Sequence, residues 1–103
     1  MNKTYIIYKA TNKINGKIYI GKTYNLEKRK KQHIDDINNG LPFHNALKKY
    51  GIDNFEWEIV DKADSDSKIR EKEIQWIKKC NSCISFSNSN GYNITLGGEG
   101  GIS

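Results

Sequence analysis

The sequence predicts an α/β (α+β) domain in which a small three-stranded antiparallel sheet is packed by helices, in the order β-β-α-α-β-α. Three observations point there. Tyr5-Ile6-Ile7-Tyr8 and Tyr19-Ile20-Gly21 read as two short strands, and the Asn15-Gly16 dipeptide between them is a strong hairpin signal. Phe55-Glu56-Trp57-Glu58-Ile59-Val60 alternates apolar and polar residues in the manner of a third strand. Around these strands, apolar residues recur at helical spacing and the breaks fall at Gly and Pro.

At 103 residues the chain is long enough for one domain with a modest core. Lys and Arg number 17 against 12 Asp and Glu, for a net charge of +5 and a pI near 9.2. That balance favours an acidic partner such as nucleic acid over a neutral small substrate, with an anionic membrane surface as the other reading. No apolar run approaches the roughly 18 residues of a membrane span, and Met1-Asn2-Lys3-Thr4 leads straight into a strand with no signal-peptide core. An intracellular protein without a membrane partner is expected. Cys80 and Cys83 form a C-x-x-C, but His33 and His44 are badly placed in sequence to complete a zinc site, so two reduced thiols are expected.

A two-residue turn at Asn15-Gly16 pairs Ile14 with Lys17. One face of the hairpin then carries Tyr5, Ile7, Ile18 and Ile20 as a core face, and the other carries Ile6, Tyr8 and Ala10 beside Lys17, Tyr19 and Gly21. In this register Tyr19 stands opposite Asn12, roughly 13 Å along the strand from Tyr8. The two tyrosines flank a site without touching unless a bulge shifts them, or else two aromatic residues merely pack in a hairpin.

The first helix begins after Asn25, a suitable N-cap, presents Leu26, Ile34 and Ile37 as its apolar face, and ends by Gly40 and Pro42. His33 falls within roughly 20° of Leu26, and Arg29 lies roughly 40° further round, on the rim. Their i, i+4 spacing lets a guanidinium and an imidazole converge on one phosphate. Lys28, Lys30 and Lys31 make the rest of this helix a solvated basic face that adds general attraction to a polyanion.

A short second helix starts near Pro42, turns Phe43, Ala46, Leu47 and Tyr50 inward, and closes at Gly51. His44, at its start, reads as exposed. In the third strand Phe55, Trp57 and Ile59 are expected to be buried, with Glu56 and Glu58 outward. A third helix from about Ser65 to Cys80 carries the stripe Ile69, Trp76, Ile77 and Cys80, and the helical period puts Glu73 inside it. An unpaired buried carboxylate is costly, so Glu73 requires a cation, either a metal ion or a salt bridge to Arg29 or a lysine. Residues 81–90 read as a Ser/Asn loop, and residues 97–103 as a flexible Gly-rich tail.

These residues together resemble the GIY-YIG nuclease family. Ile6-Ile7-Tyr8 stands where the family has Gly-Ile-Tyr, with Ile6 in place of the glycine, and Tyr19-Ile20-Gly21 matches outright. Arg29 and His33 match the Arg and His of the first helix. The segment from His44 to Gly51, followed by Phe55, is similar to a recurrent block, Glu73-Ile74-Gln75-Trp76-Ile77 to the helix with the single metal-binding glutamate, and Tyr92-Asn93 to a C-terminal motif whose asparagine lines the site.

The resemblance implies a metal-dependent endonuclease that hydrolyses phosphodiester bonds of double-stranded DNA, as the catalytic domain of a homing type of phage or intron origin. Such chemistry needs an activated water, charge relief on the phosphate and help for the leaving oxygen. The resemblance assigns one Mg²⁺ (or Mn²⁺) to Glu73, charge stabilisation to Arg29 and water activation or positioning to Tyr8. It gives Tyr19, His33 and Asn93 the task of orienting Tyr8 or sharing its proton. Lys17, Lys22, Lys28, Lys30 and Lys31 are candidate DNA contacts, and no small-molecule cofactor is implied. A non-catalytic DNA-binding module and an excision-repair-type incision domain are the alternatives on this fold. Residues 1–96 form the nuclease domain in this reading, and the tail leads to a C-terminal DNA-binding region.

Overall fold

The computed structural model describes residues 4–97. Strands β1 (Tyr5–Asn12) and β2 (Ile18–Thr23) form the hairpin, and β3 (Phe55–Ala63) pairs along the other side of β1. The sheet order is β2-β1-β3, antiparallel throughout. Helices α1 (Leu26–Asp35) and α2 (Pro42–Tyr50) lie between β2 and β3, with a 3₁₀ turn over Ile52–Asn54, and α3 (Asp66–Cys80) follows β3. The order β-β-α-α-β-α and the antiparallel sheet are those read from the sequence.

The helix ends are set by local chemistry. The Asn25 side chain accepts from the Lys28 N–H at the start of α1, and that of Ser65 from the Lys68 N–H at the start of α3, each satisfying a first-turn donor that has no partner inside the helix. Pro42 opens α2, where a missing N–H costs nothing, and Gly51 ends it at φ 92°, a conformation that side-chain-bearing residues rarely adopt.

Both faces of the sheet are covered, so β1 buries three consecutive residues, Ile6, Ile7 and Tyr8. On one face Ala10, Phe43, Ala46, Leu47, Phe55 and Tyr92 pack together, with Tyr19 and Trp57 against them. On the other, Ile7 and Ile20 meet Ile69 and Ile77 of α3, and Cys83 beyond it. The Tyr8 face is thus a second, aromatic core beneath α1 and α2, beside the core face expected from the pattern.

The hairpin register differs from the expected one by two residues. The last ladder pair is Thr11 with Ile18, and Tyr19 stands opposite Ala10 instead of Asn12. The cause is the Asn12 side chain, whose Oδ1 accepts from the Ile14 N–H at 2.9 Å while the Asn12 carbonyl accepts from the Gly16 N–H at 2.7 Å. That local turn lengthens the loop, with Gly16 at φ 77°. A shift of two preserves which residues share a face but moves Tyr19 next to Tyr8, with ring centroids 6.2 Å apart. The expected separation is corrected accordingly.

Two apolar residues lie outside the core to which the pattern assigned them. Helix α1 points His33 inward and leaves Ile34 exposed, while Ile37 packs only after the helix has ended at Asp35. In β3, Ile7 pairs with Asp61 but Tyr8 with Ile59, so Val60 is an extra residue in a bulge. Val60 joins the α3-side core, whereas Ile59 is 49% exposed.

Candidate active site

Tyr8 leaves β1 directly opposite Gly21 of β2, and its ring lies across that glycine so closely that a β-carbon there would overlap it. The ring, fully buried, extends to α1, where its hydroxyl oxygen is 2.8 Å from His33 Nε2 and accepts from Arg29 Nε at 3.3 Å. Arg29 Nη1 donates to Gln32 Oε1 at 3.1 Å. The guanidinium and imidazole therefore converge on the Tyr8 hydroxyl, and not on an empty point between them. Tyr19 stacks on Phe43 of α2, with ring centroids 4.1 Å apart and 4° between planes, which fixes the second tyrosine against the aromatic core.

His33 is buried, and a second histidine stands behind it. His33 Nδ1 is 2.7 Å from His44 Nε2, and His44 Nδ1 is 2.7 Å from Asn39 Oδ1. His44 is itself 4% exposed, which corrects the expectation of an exposed residue at the helix start. Burial, with the charge of Arg29 and then that of His44 added to it, pushes the His33 imidazolium down to a pKa of about 3. Burial also lowers His44, with Asp36 pulling the other way. The Tyr8 hydroxyl is held well above the usual phenol range, first by burial and then by the neighbouring Tyr19, with Arg29 opposing both.

Glu73 sits inside the α3 stripe as its spacing predicts, 7% exposed. Its Oε1 accepts from Lys22 Nζ at 2.9 Å, so the cation that burial demands is supplied at least in part by β2. The Gly97 backbone closes over this carboxylate, and a β-carbon on Gly97 would come 3.1 Å from Oε1 and 2.7 Å from Ile77 Cδ1. Tyr8, Tyr19, Lys22, Arg29, Glu73 and Asn93 all line one cleft of about 190 Å³. A single small cavity thus holds phenol groups, a guanidinium, an ammonium and a carboxylate.

The sequence matches the GIY-YIG catalytic domain family over residues 4–93. The chain belongs to the GIY-YIG endonuclease family. It is 38% identical over 100 residues to the putative endonuclease segB of Enterobacteria phage T4, covering 94% of this chain and 40% of that protein. It is 36% identical over 93 residues to the intron-associated endonuclease 1 of the same phage, covering 85% of this chain and 36% of that one. The chain therefore spans less than half the length of these relatives. Its fold is similar to a mutant form of the catalytic domain of intron endonuclease I-TevI, with a TM-score of 0.77 and 30% identity over 97% of this chain and 99% of that one. The catalytic domain of homing endonuclease I-TevI gives a TM-score of 0.74 at 33% identity, over 88% and 98% of the two chains.

Within this GIY-YIG domain, Tyr8, Tyr19, Arg29, His33 and Glu73 come together from two strands and two helices, β1, β2, α1 and α3. Asn93 also lines the cleft, but its amide is occupied elsewhere. Its Oδ1 accepts from the Ile20 N–H at 2.9 Å and from Ser82 Oγ at 2.7 Å, and its Nδ2 donates to the Ile20 carbonyl at 2.8 Å. Asn93 therefore clamps the C-terminal segment to β2. Lys22, expected among the surface contacts, is buried against Glu73. Lys17, Lys28 and Lys31 are exposed, and Lys30 lies 5.6 Å above the Trp57 ring. Cys80 and Cys83 are both free thiols. Most of the expected tail, residues 98–103, lies outside the described residues.

Gly21, Asn39 and His44 are site residues to which the sequence reading gave no role. Gly21 carried a usable signal, since cross-strand parity puts it on the face of Tyr8. His44 opened a block similar to the family's but its loose spacing left it without a role, and Asn39 carried no signal, because the chain from Asn39 through His44 to His33 joins a turn and two helices whose docking no local pattern specifies.

The ion implied by this family requires a suitable donor set. Mg²⁺ retains several waters and takes one or two carboxylates together with substrate oxygens. A single carboxylate, Glu73, lining a polar cleft with Lys22 on its Oε1, suits that mode of binding. Among the described residues no three His, Cys, Asp or Glu side chains gather into an all-protein cage, which is the mode that the site does not fit.

Proposed function

We propose that the chain hydrolyses phosphodiester bonds of double-stranded DNA, with one Mg²⁺ or Mn²⁺ held at Glu73. The observation that carries this reading is the shared cleft, with a hydroxyl gripped by His33 and Arg29 at one end and the Glu73 carboxylate at the other. When bound, the ion supplies Lewis-acid polarisation of the phosphate and stabilises the leaving oxygen.

The residues of the chain do the remainder. Tyr8 takes a proton from the attacking water, and the Arg29 guanidinium beside it favours the phenolate and the extra charge of the pentacoordinate phosphate. Lys22 holds Glu73 in place and adds positive charge facing a bound phosphate. Tyr19, stacked on Phe43, walls the Tyr8 ring into position. Lys17, Lys28 and Lys31 add sequence-independent attraction to the DNA backbone, so binding weakens steeply with salt. The relatives are phage T4 endonucleases more than twice as long, which supports an intracellular setting in a bacterial or phage-infected cell. The same length difference supports a role for a further DNA-binding region in target choice.

Incubating this chain with supercoiled plasmid tests the reading. Nicking that requires Mg²⁺ and stops with a chelator is expected. DNA binding without cleavage under any divalent ion would mark the chain as a binding module instead.

A further inference from the structure

The hydrogen bonds behind Tyr8 form a chain whose direction is determined at its far end. Asn39 Oδ1 accepts from the Leu41 backbone N–H at 3.0 Å, which identifies that atom as the carbonyl oxygen. His44 Nδ1, 2.7 Å from the same oxygen, must therefore carry a proton. In a neutral His44 the other nitrogen, Nε2, is then an acceptor, so His33 Nδ1 donates to it across 2.7 Å. A neutral His33 consequently offers a bare Nε2, and the Tyr8 hydroxyl donates to it across 2.8 Å. Each link leaves one possibility for the next, starting from a backbone N–H at the entrance to α2.

We propose that this chain is a proton relay, in which the proton released by Tyr8 passes through His33 and comes to rest on His44. The inference deepens the reading of the cleft as a hydrolytic site and rests on it. The Tyr8 O–H bond breaks as His33 Nε2 takes the proton, and His33 Nδ1–H passes its own to His44 Nε2. His33 ends neutral and His44 becomes an imidazolium with both nitrogens protonated. The phenolate of Tyr8 takes a proton from the attacking water, whose oxygen bonds to phosphorus as the bond to the leaving oxygen breaks. The leaving oxygen takes its proton from solvent water; afterwards His33 Nε2–H gives up its proton to solvent through the cleft as His44 Nε2 returns one to His33 Nδ1, which restores both starting tautomers. Atoms and charge balance as one water consumed per bond cleaved.

The charges around the chain favour the outer histidine. His33 is close to Arg29 and fully enclosed, and an imidazolium there faces both penalties. His44 is further along, with the Asn39 oxygen on its Nδ1 and with Asp36 favouring its charged form, against the opposing charge of Arg29. Tyr8, buried completely, cannot release its proton alone near neutral pH, so an acceptor connected to it is required.

The decisive variant is His44→Gln. A glutamine carbonyl can still accept from His33 Nδ1, which preserves the orientation of His33, but it cannot take up a proton. His44→Gln is expected to lower kcat by about 10²-fold with KM unchanged, the lower end of the range for a lost acid–base group. Wild-type kcat in a folded His44→Gln domain would overturn the relay and leave only positioning. Nitrogen-15 NMR of the imidazoles in the wild-type chain gives a second test that needs no variant and no DNA. Both histidines are expected as neutral Nδ1–H tautomers, and an Nε2–H tautomer at either one overturns the proposal. If wild-type protein fails to nick plasmid, the hydrolytic reading falls and the relay falls with it, whereas the tautomer result still stands as a property of the fold.

Discussion

The ring of Tyr8 lies across the backbone of Gly21, its cross-strand partner, with no room for a β-carbon between them. A cross-strand position that elsewhere accepts any β-former is here restricted to glycine by the ring, and the ring in turn is aimed at His33 and Arg29. The second half of the Tyr19-Ile20-Gly21 motif is thus a seat for the tyrosine of the first half.

Gly21→Ala should therefore destabilise the domain by about 1–3 kcal/mol, the usual cost of overpacking a close contact. It should also lower the cleavage rate more than the lost stability explains, because the Tyr8 hydroxyl is displaced from its two partners. Urea unfolding beside plasmid cleavage measures both. A stable, fully active Gly21→Ala protein would show that the ring is not held there.

Glu73→Gln separates charge from packing. The glutamine carbonyl can still accept from Lys22 Nζ at nearly constant volume, so stability should fall by no more than about 1–3 kcal/mol while Mg²⁺-supported cleavage is lost. Glu73→Ala removes the partner carboxylate from a buried ammonium and should cost more, about 3–5 kcal/mol. Cleavage by Glu73→Gln at the wild-type rate rules out the assigned role. Equal stability of the two variants would show that the hydrogen bond glutamine keeps to Lys22 contributes little.

His33 makes stability depend on pH in a definite direction. The folded protein keeps it neutral down to a pKa of about 3, whereas an unfolded histidine takes a proton near pH 6.5. Between those values the unfolded chain binds more protons, so stability declines as pH falls from about 6.5, by up to ~1.4 kcal/mol per pH unit for this one group. Chemical unfolding at pH 7, 6 and 5 should show the decline, and His33→Gln should flatten it. A slope unchanged by that substitution would mean that other groups control it.

Much of the fold was legible because its signals are local. Asn25 and Ser65 cap their helices through their own side chains, Pro42 and Gly51 bound α2, and the period of α3 alone places Glu73 inward. The faces of the hairpin were legible too, since a shift of two residues leaves side-chain parity intact. The register was not, because the Asn12 side chain competes with the Asn15-Gly16 turn for the loop geometry. The bulge at Val60 hid in a clean alternation, which is how Ile59 came to be read as core. In the cleft, the resemblance singled out Tyr8, Arg29, His33 and Glu73, which the structure brings to one place, while residue types alone left a packing pair of tyrosines and a salt bridge open and did not say that Lys22 would pair with the glutamate from β2. That pairing spans 51 positions and depends on how α3 lies on the sheet.

The central claim is that the Tyr8 hydroxyl performs chemistry at the cleft, and Tyr8→Phe tests it most directly. The phenylalanine ring still fills the seat over Gly21, but His33 Nε2 and Arg29 Nε each lose a partner, at a stability cost of about 1–3 kcal/mol. Single-turnover cleavage of plasmid in Mg²⁺ should slow by at least about 10²-fold, the scale of a lost acid–base group, with DNA affinity unchanged. Cleavage at the wild-type rate by Tyr8→Phe, in a domain destabilised as predicted, would contradict the account and leave Tyr8 a packing residue.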